Sequence, residues 1–468
     1  MKTSPAQSLP CGGSFTHSLS RRQFLRAATL TGLAAPLLLP SGLRAAAPNS
    51  KLHHACIGVG GMGVGDRGTF ARHSKLQIAA LCDVDAHALA GAAKDFPGAQ
   101  TYSDWRELLE KEGDRIDSVN VTVPDHMHFA IAYNAIQRGK HVYCQKPLCH
   151  DVAEVRALSE ASVARNVVTQ LGTQMAASQG ERTVVHFLKT GAIGKIKHVY
   201  LCANRPGAVE HYRLPGPRPA SGTQPPAHVN WDHWLGTAPV RPYAADIYHP
   251  VKWRAWLDFG TGWSGDIGCH IFDAVWKGLG LQPALDVVAE VQESWKSSPA
   301  RRADTWPQGQ HITWTFPGNH LTESRTLPVE WYDGDYYPPE NIRALYSVKD
   351  YPTESAMVIG TEGALLYELG RGPILLPEKK FENQPRPKLE PRDHYHHFVD
   401  ACLGTAKNES HFTQTGPMTE AILLGTVAVR VPGQKLQWHH EAMKITNVAE
   451  ANTLLRRKYR EGWHAGTF

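Results

Sequence analysis

The stretch Ala55-Cys56-Ile57-Gly58-Val59-Gly60-Gly61-Met62-Gly63 decides how the rest of this chain is read. An apolar run ends in glycines at the spacing G-x-G-x-x-G. In that pattern the first glycine permits a tight turn, the second lets the backbone approach a pyrophosphate, and the third lets helix and strand pack closely. The following helix presents free N–H groups and the positive end of its dipole to phosphates. Gly58, Gly60, Gly61, Met62 and Gly63 are therefore the predicted dinucleotide contacts. Glycine-rich turns are common, so the flanking sequence has to support the reading, and it does. The next apolar run, Leu76–Leu81, leads into Cys82-Asp83, twenty residues past Gly63. A carboxylate there accepts hydrogen bonds from the adenosine ribose and repels a 2′-phosphate, which predicts NAD rather than NADP. Asp85 reads as the cap of the next helix.

Outward from this unit, apolar runs at Ala55–Val59, Leu76–Leu81, Ile116–Val123, His141–Cys144 and Val167–Leu171 alternate with helical stretches. The helical stretches are Ala86–Lys94, Trp105–Lys111, Phe129–Arg138 and Val152–Ala164. Strands alternating with helices predict a parallel sheet covered on both faces, an α/β Rossmann domain over residues 51–172. At 468 residues the chain has room for a second domain, placed at 173–440, with a helical tail at 441–468. Beyond Gly172 the periodicity changes. A helix at Arg182–Leu188 is followed by alternating runs at Ile196–Ala203, Ala284–Val291, His311–Phe316, Ala356–Gly360 and Ala364–Leu369. The stretch Pro206–Pro226 reads as a long surface loop.

The composition is that of a folded globular protein, 42% hydrophobic and 20% charged, and a net charge of +5 without a Lys/Arg run gives nucleic-acid binding no support. The eight cysteines are scattered, with no zinc spacing and no disulfide framework. His394, His396 and His397 open a helix without a matching carboxylate spacing, so no metal is expected there. The amino-terminal residues 1–47 read as an address. Ser20-Arg21-Arg22-Gln23-Phe24-Leu25 carries twin arginines, an apolar stretch runs from Ala27 to Leu39, and Ala45-Ala46-Ala47 offers a cleavage region. Gly32 and Pro36 break the apolar stretch, so no permanent membrane span is expected. Twin-arginine machinery is the expected export partner and the periplasm the expected location.

These motifs resemble the Gfo/Idh/MocA oxidoreductase family. The resemblance runs from about Ala55 to Trp463. It rests on the glycine turn, Cys82–Asp85, Val123-Pro124-Asp125-His126-Met127-His128, Gly139 to Pro147, Gly265-Asp266-Ile267-Gly268-Cys269-His270 and the tail Leu454–Trp463. It implies a carboxyl-terminal α+β domain with a large open, mostly antiparallel sheet that often forms dimers or tetramers. It also implies Lys146, Asp266 and His270 as a catalytic trio, and Pro124, His128 and again Lys146 as cofactor contacts near the nicotinamide. Where family members typically carry Glu-Lys-Pro, this chain has Gln145-Lys146-Pro147, which places it in a variant branch.

The residue types suit the implied chemistry. Oxidising a secondary alcohol needs a base for the hydroxyl proton, and the ordinary histidine pKa of about 6.5 lies near working pH. Asp266 and His270 are four apart, so a helix would point both from one face. We expect His270 to be the acid/base, Lys146 to orient the hydroxyl and ease its deprotonation, and Asp266 to position substrate. Gln174, Arg254 and Trp256 are the further predicted substrate contacts. Arg254 offers a hydrogen-bonding fork, and the aromatic residues between Trp231 and Trp256 offer faces for sugar C–H groups. The leading expectation is an NAD-dependent dehydrogenase of a sugar, cyclitol or sugar derivative that holds its cofactor tightly. The alternatives are a redox-neutral glycosidase or lyase, working by transient oxidation and elimination, and a non-catalytic sugar binder.

Overall fold

The computed structural model describes residues 51–205 and 218–463. The twin-arginine segment and most of the loop expected at Pro206–Pro226 lie outside the described residues. Six parallel strands, β1 (Leu52–Ile57), β2 (Leu76–Cys82), β3 (Gln100–Tyr102), β4 (Ser118–Val121), β5 (His141–Gln145) and β6 (Thr169–Gly172), form one sheet. Its order is β3-β2-β1-β4-β5-β6. Sequence order reverses between β1 and β4, and ligands in such sheets bind at the carboxyl ends of the strands at that reversal. Every residue of β4 is buried, as expected for a strand covered on both faces.

The helices start where short polar side chains satisfy their free N–H groups. Asp85 accepts from the amides of His87 and Ala88 at the start of α2 (Ala86–Asp95), as its sequence position predicts. Asp104 and Asp151 do the same for α3 (Trp105–Lys111) and α5 (Val152–Ala164). Two helices start without a side-chain cap: α1 (Met62–Ala71) follows the glycine turn and α4 (Asp125–Gln137) follows Pro124.

Past α6 (Gln179–Lys189), a second sheet has nine strands. They are β7 (Ile196–Ala203), β8 (Asp286–Val291), β9 (Gln310–Pro317), β10 (Thr326–Asp333), β11 (Glu354–Gly360), β12 (Ala364–Glu368), β13 (Ile374–Leu376), β14 (Leu436–His439) and β15 (Lys444–Ile445), in the order β13-β12-β11-β7-β10-β9-β8-β14-β15. The working strands here are β7, β10 and β11. β7 and β10 pair in parallel, and the other pairs in this sheet are antiparallel. The helix α7 (Gly262–Leu279) and the later α9 (Phe412–Arg430) are buried on almost every side. Between them in sequence, α8 (His394–Cys402) leaves the second domain and packs Tyr395, Phe398 and Val399 against Phe70 of α1 and Leu81 of β2 in the Rossmann domain.

The tail corrects an expectation. Residues 441–463 carry a two-residue strand and one 3₁₀ stretch, Ala449–Leu454, and otherwise run without regular structure. Side-chain contacts hold this segment in place of helical bonds. The Arg457 amide donates to Asp151, its guanidinium to Glu154 at 2.9 Å, and the Tyr459 hydroxyl to the same Glu154.

Candidate active site

The glycine turn has the geometry that its sequence demands. Gly58 has φ +85°, and a Cβ on it would lie 2.0 Å from the Thr122 carbonyl oxygen. A Cβ on Gly63 would meet the Gly58 carbonyl at 2.1 Å, so this glycine lets the helix close on the strand. Asp83, at the end of β2, reaches back to the turn. Its Oδ2 accepts from the amides of Val59 (2.8 Å) and Gly60 (3.1 Å), and burial raises its pKa. A cavity of about 960 Å³ opens here, lined by Gly58, Gly60, Gly61, Met62, Asp83 and Pro124 at one end and by Lys146, Gln174, Arg254, Asp266 and His270 at the other. The sequence-predicted groups thus share one cavity, with three exceptions, of which Gly63 serves only the close approach of helix to strand.

His128 and Trp256 do not line it. His128 is buried, with Nδ1 2.7 Å from the Pro147 carbonyl and Nε2 2.8 Å from the Val123 carbonyl. It ties the turn after β4 to the turn that carries Lys146, and burial lowers its pKa to about 4. Trp256 is 1% exposed and donates its indole N–H to the Ile247 carbonyl at 2.8 Å. Its ring packs against Tyr248 in the core, leaving no face for a ligand. The neighbouring Trp253 lines the cavity instead, under the Arg254 guanidinium at 4.3 Å.

The reacting end is a compact charge cluster. Lys146 leaves the end of β5, and its Nζ donates to the Asp266 carboxylate and, at 3.1 Å, to the Asp266 carbonyl. Arg254 Nε donates to the other carboxylate oxygen at 3.1 Å. Asp266 and His270 stand one turn apart on α7, as the four-residue spacing predicts. His270 has its pKa lowered to about 3, first by burial and then by Lys146, so its ring is neutral at physiological pH. Its Nδ1 is enclosed with no hydrogen-bond partner among the described residues.

Sequence reasoning missed Asp125, Arg205, Glu354 and Trp263, which line the same cavity. Asp125 is buried and accepts from the Thr261 hydroxyl (2.9 Å) and amide (3.2 Å) at the start of α7. Burial and then the Asp266 carboxylate raise its pKa. A Cβ at Gly265 would collide with the Thr261 side chain at 2.3 Å, so that glycine makes room for this contact. Asp125 was visible as the acid opening α4, where a carboxylate complements the helix dipole. Arg205 and Glu354 pair at 3.4 Å from positions 149 residues apart, and no local signal joins them.

The variant residue Gln145 has an explanation. Its Nε2 donates to Asp66 on α1 at 2.9 Å, and Asp66 also accepts from the Thr122 hydroxyl and the Tyr395 hydroxyl, both at 2.7 Å. A carboxylate at 145 would lie against that buried acid. The acid of this pair sits at Asp66, and the amide at 145 is its donor.

The carboxyl-terminal histidines do not form a cluster. His394 binds the Leu171 carbonyl and His396 the Thr69 carbonyl.

The glycine cradle, the carboxylate ending β2 and the cavity running from them to Lys146 fit a nicotinamide dinucleotide. Comparison with known proteins agrees. The description "Oxidoreductase family, NAD-binding Rossmann fold" matches residues 52–173, and "Oxidoreductase family, C-terminal alpha/beta domain" matches residues 187–316. Levoglucosan dehydrogenase of Pseudarthrobacter phenanthrenivorans is 24% identical over 209 residues, 44% of each chain. A glycosyl hydrolase family 109 protein of a Shewanella species is 25% identical over 209 residues, 39% of this chain and 45% of its own. The chain thus spans less than half the length of the curated relatives it matches. The WlbA dehydrogenase of Bordetella pertussis, solved with NADH and UDP-GlcNAcA, shares the fold at 15% identity. Its TM-score is 0.56, over 84% of this chain and 98% of its own. The chain belongs to the Gfo/Idh/MocA oxidoreductase family, with its NAD-binding Rossmann domain followed by that family's carboxyl-terminal α/β domain.

Proposed function

We propose that this protein is an NAD-dependent oxidoreductase acting on a hydroxyl of a sugar, cyclitol or sugar derivative. The observation that carries the reading is the convergence of Lys146, Asp266, Arg254 and His270 on the cavity that begins at the glycine turn. Bound NAD supplies the hydride acceptor. The protein supplies the rest. The Lys146 ammonium, fixed by Asp266, hydrogen-bonds the substrate oxygen and stabilises negative charge as its proton leaves. The neutral His270 ring is in the form that accepts that proton. Arg254, laid over Trp253, orients neighbouring hydroxyls. The low cavity exposure of Lys146 and Asp266, 16% and 8%, keeps water from screening these charges. Protein purified with its nucleotide and mixed with a panel of sugars tests the reading. Reduced nicotinamide should form with at least one neutral sugar, in an amount matching the bound nucleotide.

A second reading has its own observation. Redox-neutral elimination at a glycosidic carbon needs a second proton acceptor for the acidified C–H, and Asp125 is a second buried carboxyl in the same cavity. The glycosyl hydrolase name of one set of relatives points the same way. Anaerobic release of an aryl aglycone without added NAD separates this reading from the first. Export by the twin-arginine route to the periplasm, and assembly as a homodimer or tetramer, complete the proposal. They rest on Ser20–Leu25 and on the family resemblance.

A further inference from the structure

At the adenosine end of the cavity, a segment of the second domain lies across the Rossmann domain. Val229 forms a β-bridge with Asp85, the Ala86 amide donates to the His228 carbonyl at 2.7 Å, and the Asn230 amide donates to the Val84 carbonyl at 2.8 Å. The chain then turns through the short helix Trp231–Leu235 and returns at His249. This strap brings two imidazoles to the cap of α2. His228 Nε2 lies 3.9 Å from Asp85 Oδ2, and His249 Nε2 lies 3.8 Å from the same oxygen. His87, from the first turn of α2, stacks on His228 with ring centroids 3.9 Å apart. Donor atoms of Asp85, His87 and His228 all fall within 4.8 Å of one another.

These spacings are informative. Nitrogen and oxygen at 3.8–3.9 Å are too far apart for a hydrogen bond. Zinc bonds of about 2.0–2.2 Å at tetrahedral angles place ligand atoms about 3.4 Å apart. The gaps to Asp85 Oδ2 exceed that by about half an ångström and the remaining donor atoms lie within 4.8 Å, so a bound ion would draw the ligands together by side-chain rotation that opens the His87–His228 stack. Asp85 keeps Oδ1 on the amides of His87 and Ala88, which leaves Oδ2 for another partner. Two imidazoles and one carboxylate, with water as the fourth ligand, form a donor set suited to zinc, nickel or cobalt, not to magnesium or calcium.

We propose that Asp85, His87 and His228 form a site for a divalent transition metal that clips the strap to the Rossmann domain. The donors come from both domains, so a bound ion would join α2 to the strap. Asp85 itself lines the cavity, so the clip closes its adenosine end. The metal takes no part in the chemistry at Lys146. Its effect is on how fast the nucleotide leaves. The retention half of this proposal rests on the NAD assignment. The metal half does not.

The test uses the full chain carrying its nucleotide, titrated with Co²⁺ alone. One equivalent should bind with the visible absorption of a four-coordinate site, and His87→Ala/His228→Ala should weaken binding by at least about 100-fold, beyond the loss typical of outer-shell changes. His396→Ala, whose imidazole is elsewhere on a backbone carbonyl, is the control and should bind as the parent does. Stoppage of nucleotide release is then followed with and without Zn²⁺. Release should slow by about tenfold with Zn²⁺ in the parent chain and not at all in the double variant. Absence of stoichiometric Co²⁺ binding, or equal binding by the double variant, overturns the site. Stoichiometric binding with an unchanged release rate overturns the clip. Neither result bears on hydroxyl oxidation at Lys146, which the sugar panel reads separately.

Discussion

Replacing Lys146 by Met keeps the length of the side chain and removes its ammonium. The structure separates what this does to stability from what it does to rate. Asp266 loses the lysine but retains Arg254 Nε at 3.1 Å, so its carboxylate is not left without a counter-charge. The folding cost is then that of a hydrogen bond to a charged group, about 1.5–3 kcal/mol, and not the 3–5 kcal/mol of an orphaned buried ion. The cofactor end of the cavity, built on Gly58 to Met62 and Asp83, is untouched, so bound nucleotide should stay within about twofold of the parent. The rate is a different matter. The ammonium is the only lysine lining the cavity among the described residues, and in the proposed mechanism it stabilises the oxygen whose charge develops. Loss of such a group costs about 10²–10⁴ in kcat, or about 3–5.5 kcal/mol of barrier. Nucleotide content is read by denaturing the protein and quantifying what is released, stability by Tm, and rate by single-turnover formation of reduced nicotinamide. A variant that keeps more than about a tenth of the parent rate refutes the role of Lys146. One that loses nucleotide in proportion to rate refutes the separation of the two ends of the cavity.

Other expectations follow from the same geometry. Asp266→Asn removes the carboxylate shared by Lys146 and Arg254, and should lower stability by about 1.5–3 kcal/mol as well as abolish turnover; a Tm equal to the parent would contradict it. Gln145→Glu sets a carboxylate against Asp66 and should lower Tm, while the exchange Asp66→Asn/Gln145→Glu restores one acid and one amide and should recover most of the loss. Failure of the double variant to recover would show that the network does not depend on its charge. For pH, His270 must be neutral to accept a proton, and its pKa of about 3 keeps it neutral as pH falls from 7 to 5. Activity should therefore show no acid limb near 6.5 that His270→Asn removes. An acid limb near neutrality that Asp125→Asn removes would instead favour the elimination chemistry, because burial and Asp266 raise that carboxyl. Gly58→Ala, at φ +85° and 2.0 Å from a carbonyl oxygen, should yield protein with little or no nucleotide by the same release assay.

Local signals carried the Rossmann half of this molecule. The glycine spacing, Asp83 at a strand end and Asp85 at a cap each act within a few residues of where they are written. The four-residue spacing of Asp266 and His270 likewise survives into the helix that bears them. What was not legible depends on partners distant in sequence. α9 is buried on almost every side, polar threonines and Glu420 included, so no apolar stripe announced it. β10 carries Pro328 in the middle of a central strand, a residue that argues against a strand assignment. His128 and Trp256 had the right chemistry for the site, but backbone carbonyls claimed their nitrogens. Arg205 and Glu354 meet only because β7 and β11 pair, with Glu354 opposite Ala203.

A crystal structure of the protein with NAD and a sugar would test the whole account most directly. The account places the pyrophosphate on the amides after Gly58 and the nicotinamide ring over the cavity floor, with a sugar hydroxyl in hydrogen-bond reach of both Lys146 Nζ and His270. A nicotinamide turned away from those two side chains, or a sugar bound elsewhere on the molecule, would contradict it.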